Sequence, residues 1–178
     1  SVIRGANTLN ISSLSTNSWS KPFIIQFDSL GSYQWATDAI YSGNNYYVEL
    51  NDMEVTLSGD VYITGRHGKA ITFNSVNNNN VSLNHPNTYS GSRSNAFFVK
   101  YNNDGDAQWA HSIGTANNSG SGNDFDNGNS IAISNSYIYL GISADISSSN
   151  REIIIPSTTR PTQRSSQGPF ILLKYNED

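Results

Sequence analysis

Three histidines, fourteen carboxylates and no cysteine set the chemistry open to this chain of 178 residues. Without thiols there can be no disulfide framework, thiolate metal site or thiol nucleophile. His67, His85 and His111 stand in unrelated contexts. They show neither the H-E-x-x-H spacing that puts two imidazoles on one metal nor a Ser-His-Asp pattern that would activate a hydroxyl. His67 follows a run that closes on Gly65 and is expected at a rim. Asp124 and Asp126 in Asn123-Asp124-Phe125-Asp126-Asn127, and Asp104 and Asp106 around Gly105, offer the oxygens a calcium ion takes. An EF-hand-type loop also needs alternating oxygens and a closing Glu, which the run around Gly105 does not supply. Turn formation is the expected role of Asp104 and Asp106, and neither metal nor cofactor is expected. His67, His85, Asp124 and Asp126 are kept as candidate ligand or partner positions in loops.

The elements that would hold such residues are written in a composition rich in Asn, Ser, Gly and Thr and poor in Lys and Glu. Short polar side chains compete for backbone hydrogen bonds, which disfavours long helices and favours turn-rich β structure. Ten basic residues against fourteen acidic ones give a net charge of -4, and the basic ones are scattered, unlike the concentrated basic face of a nucleic-acid binder. No run approaches the roughly 20 apolar residues of a membrane span. The start, Ser1-Val2-Ile3-Arg4, has neither Met nor a signal pattern, so a processed or excised piece of a longer chain is expected.

One stretch recurs. Phe97-Phe98-Val99-Lys100-Tyr101, a turn at Asn103-Asp104-Gly105, then Gln108-Trp109-Ala110 repeats Phe23-Ile24-Ile25-Gln26-Phe27, Ser29-Leu30-Gly31 and Gln34-Trp35-Ala36, and begins again at Ile171-Leu172-Leu173-Lys174-Tyr175. Phe27 to Tyr101, Tyr101 to Tyr175, Gly31 to Gly105 and Trp35 to Trp109 are each 74 residues apart. A fixed period of this size is read as a structural unit. Each copy predicts a hairpin whose Gly takes positive φ. A further strand, turn and strand is predicted over 46–65, with Gly59 in the turn, and again over 130–141. Matching Gly65 to Gly141 gives 76, a drift expected in a loop. The segments 66–95 and 142–169 are read as insertion loops with one short apolar run each, and residues 1–21 as a loop with an edge strand. Four short strands and a long loop per unit point to propeller blades or a related stacked β array.

The run 97–109, followed by Gly122-Asn123-Asp124, Asn129-Ser130-Ile131-Ala132-Ile133 and Tyr137-Ile138-Tyr139-Leu140-Gly141, resembles the SBBP-type β-propeller repeat. Phe23 to Trp35 and Val61-Tyr62-Ile63-Thr64-Gly65 match it in the first unit, which lacks a clear Gly-Asn-Asp. The resemblance covers about two thirds of the chain and implies an all-β fold of four-stranded antiparallel blades, here a partial propeller or fragment. It implies a scaffold with no catalytic residues, found in large surface-exposed bacterial proteins and some large DNA viruses, hence an extracellular, cell-surface or virion location, and it places Asp124 and Asp126 in a blade-to-blade loop, where they would cap the loop. In blade terms, residues 1–47 are the end of a preceding blade, 48–113 a complete blade, and 114–178 a following blade without its outermost strand. The missing strand is expected from further blades or another chain.

The expected repeat core is Phe27, Trp35, Tyr62, Tyr101, Trp109, Tyr139 and Tyr175, with Gly31, Gly59 and Gly105 in turns. The expected function is a non-enzymatic structural or interaction module, acting through 66–95 and 142–169, with protein chains or further blades as partners. The alternative is a carbohydrate-binding propeller closed by oligomerisation, in which Trp35 and Trp109 would stack on sugars. The sequons at Asn10, Asn80 and Asn117 are of the number expected by chance in so Asn- and Ser-rich a chain.

Overall fold

The computed structural model describes residues 3–4, 7–8, 22–41, 48–84, 94–116, 126–134, 137–144, 152–154 and 170–176. Among them there is no helix. The strands in chain order are β1 (Ile3–Arg4), β2 (Asn7–Thr8), β3 (Phe23–Phe27), β4 (Tyr33–Tyr41), β5 (Val48–Val55), β6 (Val61–His67), β7 (Ile71–Phe73) and β8 (Val81–Leu83). They continue as β9 (Asn95–Tyr101), β10 (Ala107–Ala116), β11 (Asn127–Ser134), β12 (Tyr137–Ser143), β13 (Glu152–Ile154) and β14 (Phe170–Asn176). The fold is all-β. Besides the β1-β2 pair, the strands form a first sheet ordered β3-β4-β7-β8, a second ordered β13-β10-β9-β6-β5 and a third ordered β11-β12-β14. Among the described residues every pairing is antiparallel, and no sheet closes on itself.

Three hairpins turn in the same way. Gly31, Gly59 and Gly105 have φ of 79, 89 and 81°, a conformation that costs a residue with a Cβ. In each, the Gly N–H donates to the carbonyl three residues earlier: Asp28, Thr56 and Asn102. The side chains of those three residues cap the turns from within. Asp28 Oδ1 accepts from Leu30 N and Ser32 N, Thr56 Oγ1 from Asp60 N, and Asn102 Oδ1 from Asp104 N and Asp106 N. In the first and third, a β-bulge follows at Gln34 and Gln108, which re-aims the next residue, Trp35 or Trp109.

The insertions differ from the loops expected over 66–95 and 142–169. Within the first, β7 and β8 form a hairpin that pairs with β4 and extends the first sheet; within the second, β13 pairs with β10 and extends the second sheet. Each unit thus lends strands to the sheet before it, and β4 and β10 are not edge strands. The physical reason lies in the apolar run: Ile71 and Phe73 are buried in the core between the first and second sheets, each worth roughly 1.5–3 kcal/mol of burial.

The sheets stack face to face. Val61, Ile63, Phe97, Val99 and Tyr101 of the second sheet pack in one cluster with Trp35, Ile71 and Phe73 of the first. The intervening side chains Tyr62, Ala96, Phe98 and Ile113 pack in another with Ile138, Leu140, Ile171 and Leu173 of the third. Both faces of β9 are therefore covered, which explains its uninterrupted apolar run. Pairing also corrects the alignment of units. Ile63 pairs with Val99 and Leu140 with Leu173. Since Val99 and Leu173 are 74 apart, Ile63 is equivalent to Leu140, 77 residues on, and Gly65 does not correspond to Gly141. A slip of one residue would turn Ile138, Leu140 and Ile142 away from the second sheet.

Candidate functional site

The structure places His67 in a strand and not in a loop. It is the last residue of β6 and fully buried, with Nδ1 2.8 Å from the Lys69 carbonyl and Nε2 2.9 Å from Ser112 Oγ. A carbonyl that holds Nδ1–H leaves Nε2 as acceptor for a serine hydroxyl, the geometry of a base beside a nucleophile. Asn95 Nδ2 also donates to that hydroxyl, at 3.3 Å, and with its imidazole sealed in the core the pair serves to tie β6, β9 and β10 together. Sequence spacing did not show this pairing, because 45 residues separate the partners.

Asp126 is likewise buried, its N–H donating to the Ser94 carbonyl and its carbonyl accepting from Ser94 Oγ. Of the candidate ligand or partner positions, His67 thus ends β6 and Asp126 lies in the loop just before β11, both with buried side chains. His85 and Asp124 lie outside the described residues. The Asp106 carboxylate is spent on Asn77, accepting from its N and Nδ2 at 2.8 Å each. No group of three or more His, Asp or Glu side chains gathers as for a metal among the described residues, and no helix there is long and apolar enough to cross a membrane.

His111 is half-buried against Phe98 and Trp109, and burial lowers its pKa from the ordinary value. Burial, with the Asp38 carboxylate beside it, pushes the Tyr101 phenol well above its usual range; burial does the same to Tyr175.

The tryptophans divide. Trp35 is 7% exposed, and its Nε1 donates to the Asn103 carbonyl at 2.8 Å. It borders a surface cleft of about 460 Å³ with Asp28, Gln34 and Asp104, but so buried a ring offers no platform for a sugar. Trp109 is half-buried, with Tyr62 and Phe98 edge-on to it at 5.9 and 5.3 Å between ring centroids.

The surface that stands out lies on the two end sheets. Phe27, Tyr101 and Tyr175 are equivalent, yet Tyr101 is 0% exposed and Phe27 44%. Phe23, Ile25 and Phe27 alternate onto one face of β3, the face that in β9 carries Phe97, Val99 and Tyr101 against the preceding sheet. At the other end, Phe98 is 1% exposed and its equivalent Leu172 60%. Tyr137, Tyr139, Phe170, Leu172 and Lys174 share the face of the third sheet that is turned from the second. Tyr139 is the counterpart of the fully buried Tyr62, and the similarity extends to the cation above it. Lys100 Nζ lies 5.2 Å from the Tyr62 ring centroid and 3.1 Å from Asp60 Oδ2. Lys174 Nζ lies 5.7 Å from the Tyr139 centroid and 3.5 Å from that of Tyr137. Burial opposes the Lys100 charge, but hydrogen bonds to Tyr62 and Asp60 outweigh it and raise the pKa.

Sequence reasoning placed Phe27 and Tyr139 in a repeat core and missed Phe23, Ile25, Phe170, Leu172 and Lys174 as surface. The signal was there in Ile171-Leu172-Leu173: a run apolar at successive positions is that of a strand covered on both faces. No protein-family model matches the chain, and no curated protein matches it.

Proposed function

We propose that the chain is a non-enzymatic β-propeller-type structural and interaction module, part of a larger surface or virion assembly, whose working surfaces are the outer faces of its first and third sheets. One observation carries this reading: side chains buried where sheet meets sheet inside the chain recur, exposed, at both ends of the stack. Exposed apolar patches of this kind mark association surfaces, and the equivalences specify a further sheet of the same type as the thing that fits. The resemblance to SBBP-type repeats agrees with that reading and supplies the propeller, a ring of about four to eight blades.

A tandem variant tests it. Appending a second copy of residues 105–178 after Asp178 continues the 74-residue period without a break, adding the strand that follows β14 and a further sheet. In the 178-residue chain, diluted until monomeric, Leu172→Asp at an exposed position is expected to change stability by no more than about 0.5 kcal/mol. In the tandem variant the same substitution in the first copy buries a carboxylate and is expected to cost about 2 kcal/mol or more. Denaturant unfolding of the four proteins gives both numbers, and an equally small cost in both backgrounds would sink the reading.

A further inference from the structure

We propose that the Tyr139–Leu172 face of the third sheet docks against the Phe23–Phe27 face of the first sheet of a second copy, so that copies associate head to tail. This rests on the function proposed above and names the partner for its two surfaces.

The two faces continue interfaces already present in the chain. Across the first, Ile24 of the first sheet and Tyr101 of the second border one small internal cavity. Across the second, Phe98 stacks tilted on Tyr175 with ring centroids 4.9 Å apart. Ile24, Phe98 and Leu172 are one repeat position, and Phe27, Tyr101 and Tyr175 another. Leu172 facing Phe27 of the next copy continues the same succession of repeat positions across a sheet interface. The flanking chemistry also matches: Tyr139 under Lys174 offers what Tyr62 under Lys100 offers to the third sheet, and Phe23 and Ile25 stand where Phe97 and Val99 meet the first. A surface of this design has a complement in the chain's own opposite end, so the contact is heterologous. It generates a ring if the rotation between copies closes and an open filament if it does not.

Sedimentation of the 178-residue chain over a wide concentration range, with Phe27→Asp and Leu172→Asp, tests this. The chain is expected to rise in mass with concentration. Each variant alone is expected to remain monomeric, since each lacks one of the two faces. An equimolar mixture of the two is expected to give a 1:1 dimer and nothing larger, because one intact pair of faces remains. Both positions are exposed, and unfolding midpoints close to that of the parent chain verify that the variants fold. Phe23→Ser and Phe170→Ser, milder changes on the same faces, are expected to weaken association at least tenfold. A chain that stays monomeric throughout overturns the inference, as does a dimer that survives either aspartate substitution. If the tandem variant shows its cost while the 178-residue chain stays monomeric, the docking inference fails and the proposed function stands.

Discussion

The indole N–H of Trp35 donates to the main-chain carbonyl of Asn103, 2.8 Å away, and so pins the second strand of one hairpin to the turn of the hairpin that repeats it. Trp35→Ala empties a buried site and leaves that carbonyl unpaired, for an expected loss of about 3–5 kcal/mol. Trp35→Phe keeps most of the volume and loses the hydrogen bond, for about 1–3 kcal/mol. Urea unfolding measures both. A variant that lost glycan binding with its stability intact would instead support the carbohydrate alternative.

Gly105 lies under the same ring. A Cβ there would come within 2.7 Å of the Trp35 indole and 2.8 Å of a Val76 methyl, on a backbone with φ of 81°. Gly105→Ala therefore adds overpacking of about 1–3 kcal/mol to left-handed strain of about 1–2 kcal/mol. At Gly59 the obstacle is the end of the flexible Asn103 side chain, so Gly59→Ala is expected to show the strain alone. Equal losses at the two turns would contradict this account.

Phe73 is buried beside Phe97, ring centroids 5.1 Å apart. Phe73→Ala is expected to cost about 3–5 kcal/mol. Calorimetric unfolding at a fixed pH distinguishes that from the near-zero effect of truncating a side chain in a surface loop.

His111 gives a pH dependence. The unfolded chain takes up its proton near pH 6.5, whereas the folded chain, with the pKa lowered by burial, does so only at lower pH. Stability is present above about pH 6.5, falls as pH drops below it, and levels off past the folded pKa. His111→Gln is expected to flatten this part of the profile, measured as the urea midpoint between about pH 7.5 and 5. An unchanged slope would assign the dependence to another group.

The hairpins were legible in the sequence because the period and the turn glycines are local: Gly31 and Gly105 announce positive φ, and the all-β class follows from short alternating runs. The destination of Ile71 and Phe73 was not, since three apolar residues in a polar segment carry no information on which sheet receives them. The register of β12 was missed for a related reason. Gly65 and Gly141 look alike in type, but only pairing with β9 and β14 reveals that they face opposite ways. His67 and Ser112 meet through the order of β6, β9 and β10, a long-range relation with no local signature.

The strands lent from unit to unit also impose an order on synthesis. β4 leaves the ribosome with one side unoccupied, and that side is filled only when the chain has been made as far as Phe73, after β5 and β6 have emerged. β10 waits in the same way for residues 152–154. An exposed strand edge is a hazard during such a wait. Vectorial folding here overlaps like roof tiles, with no described residue between Phe23 and Ile154 at which the chain could be cut without stranding a half-finished sheet or a hairpin that has lost its host.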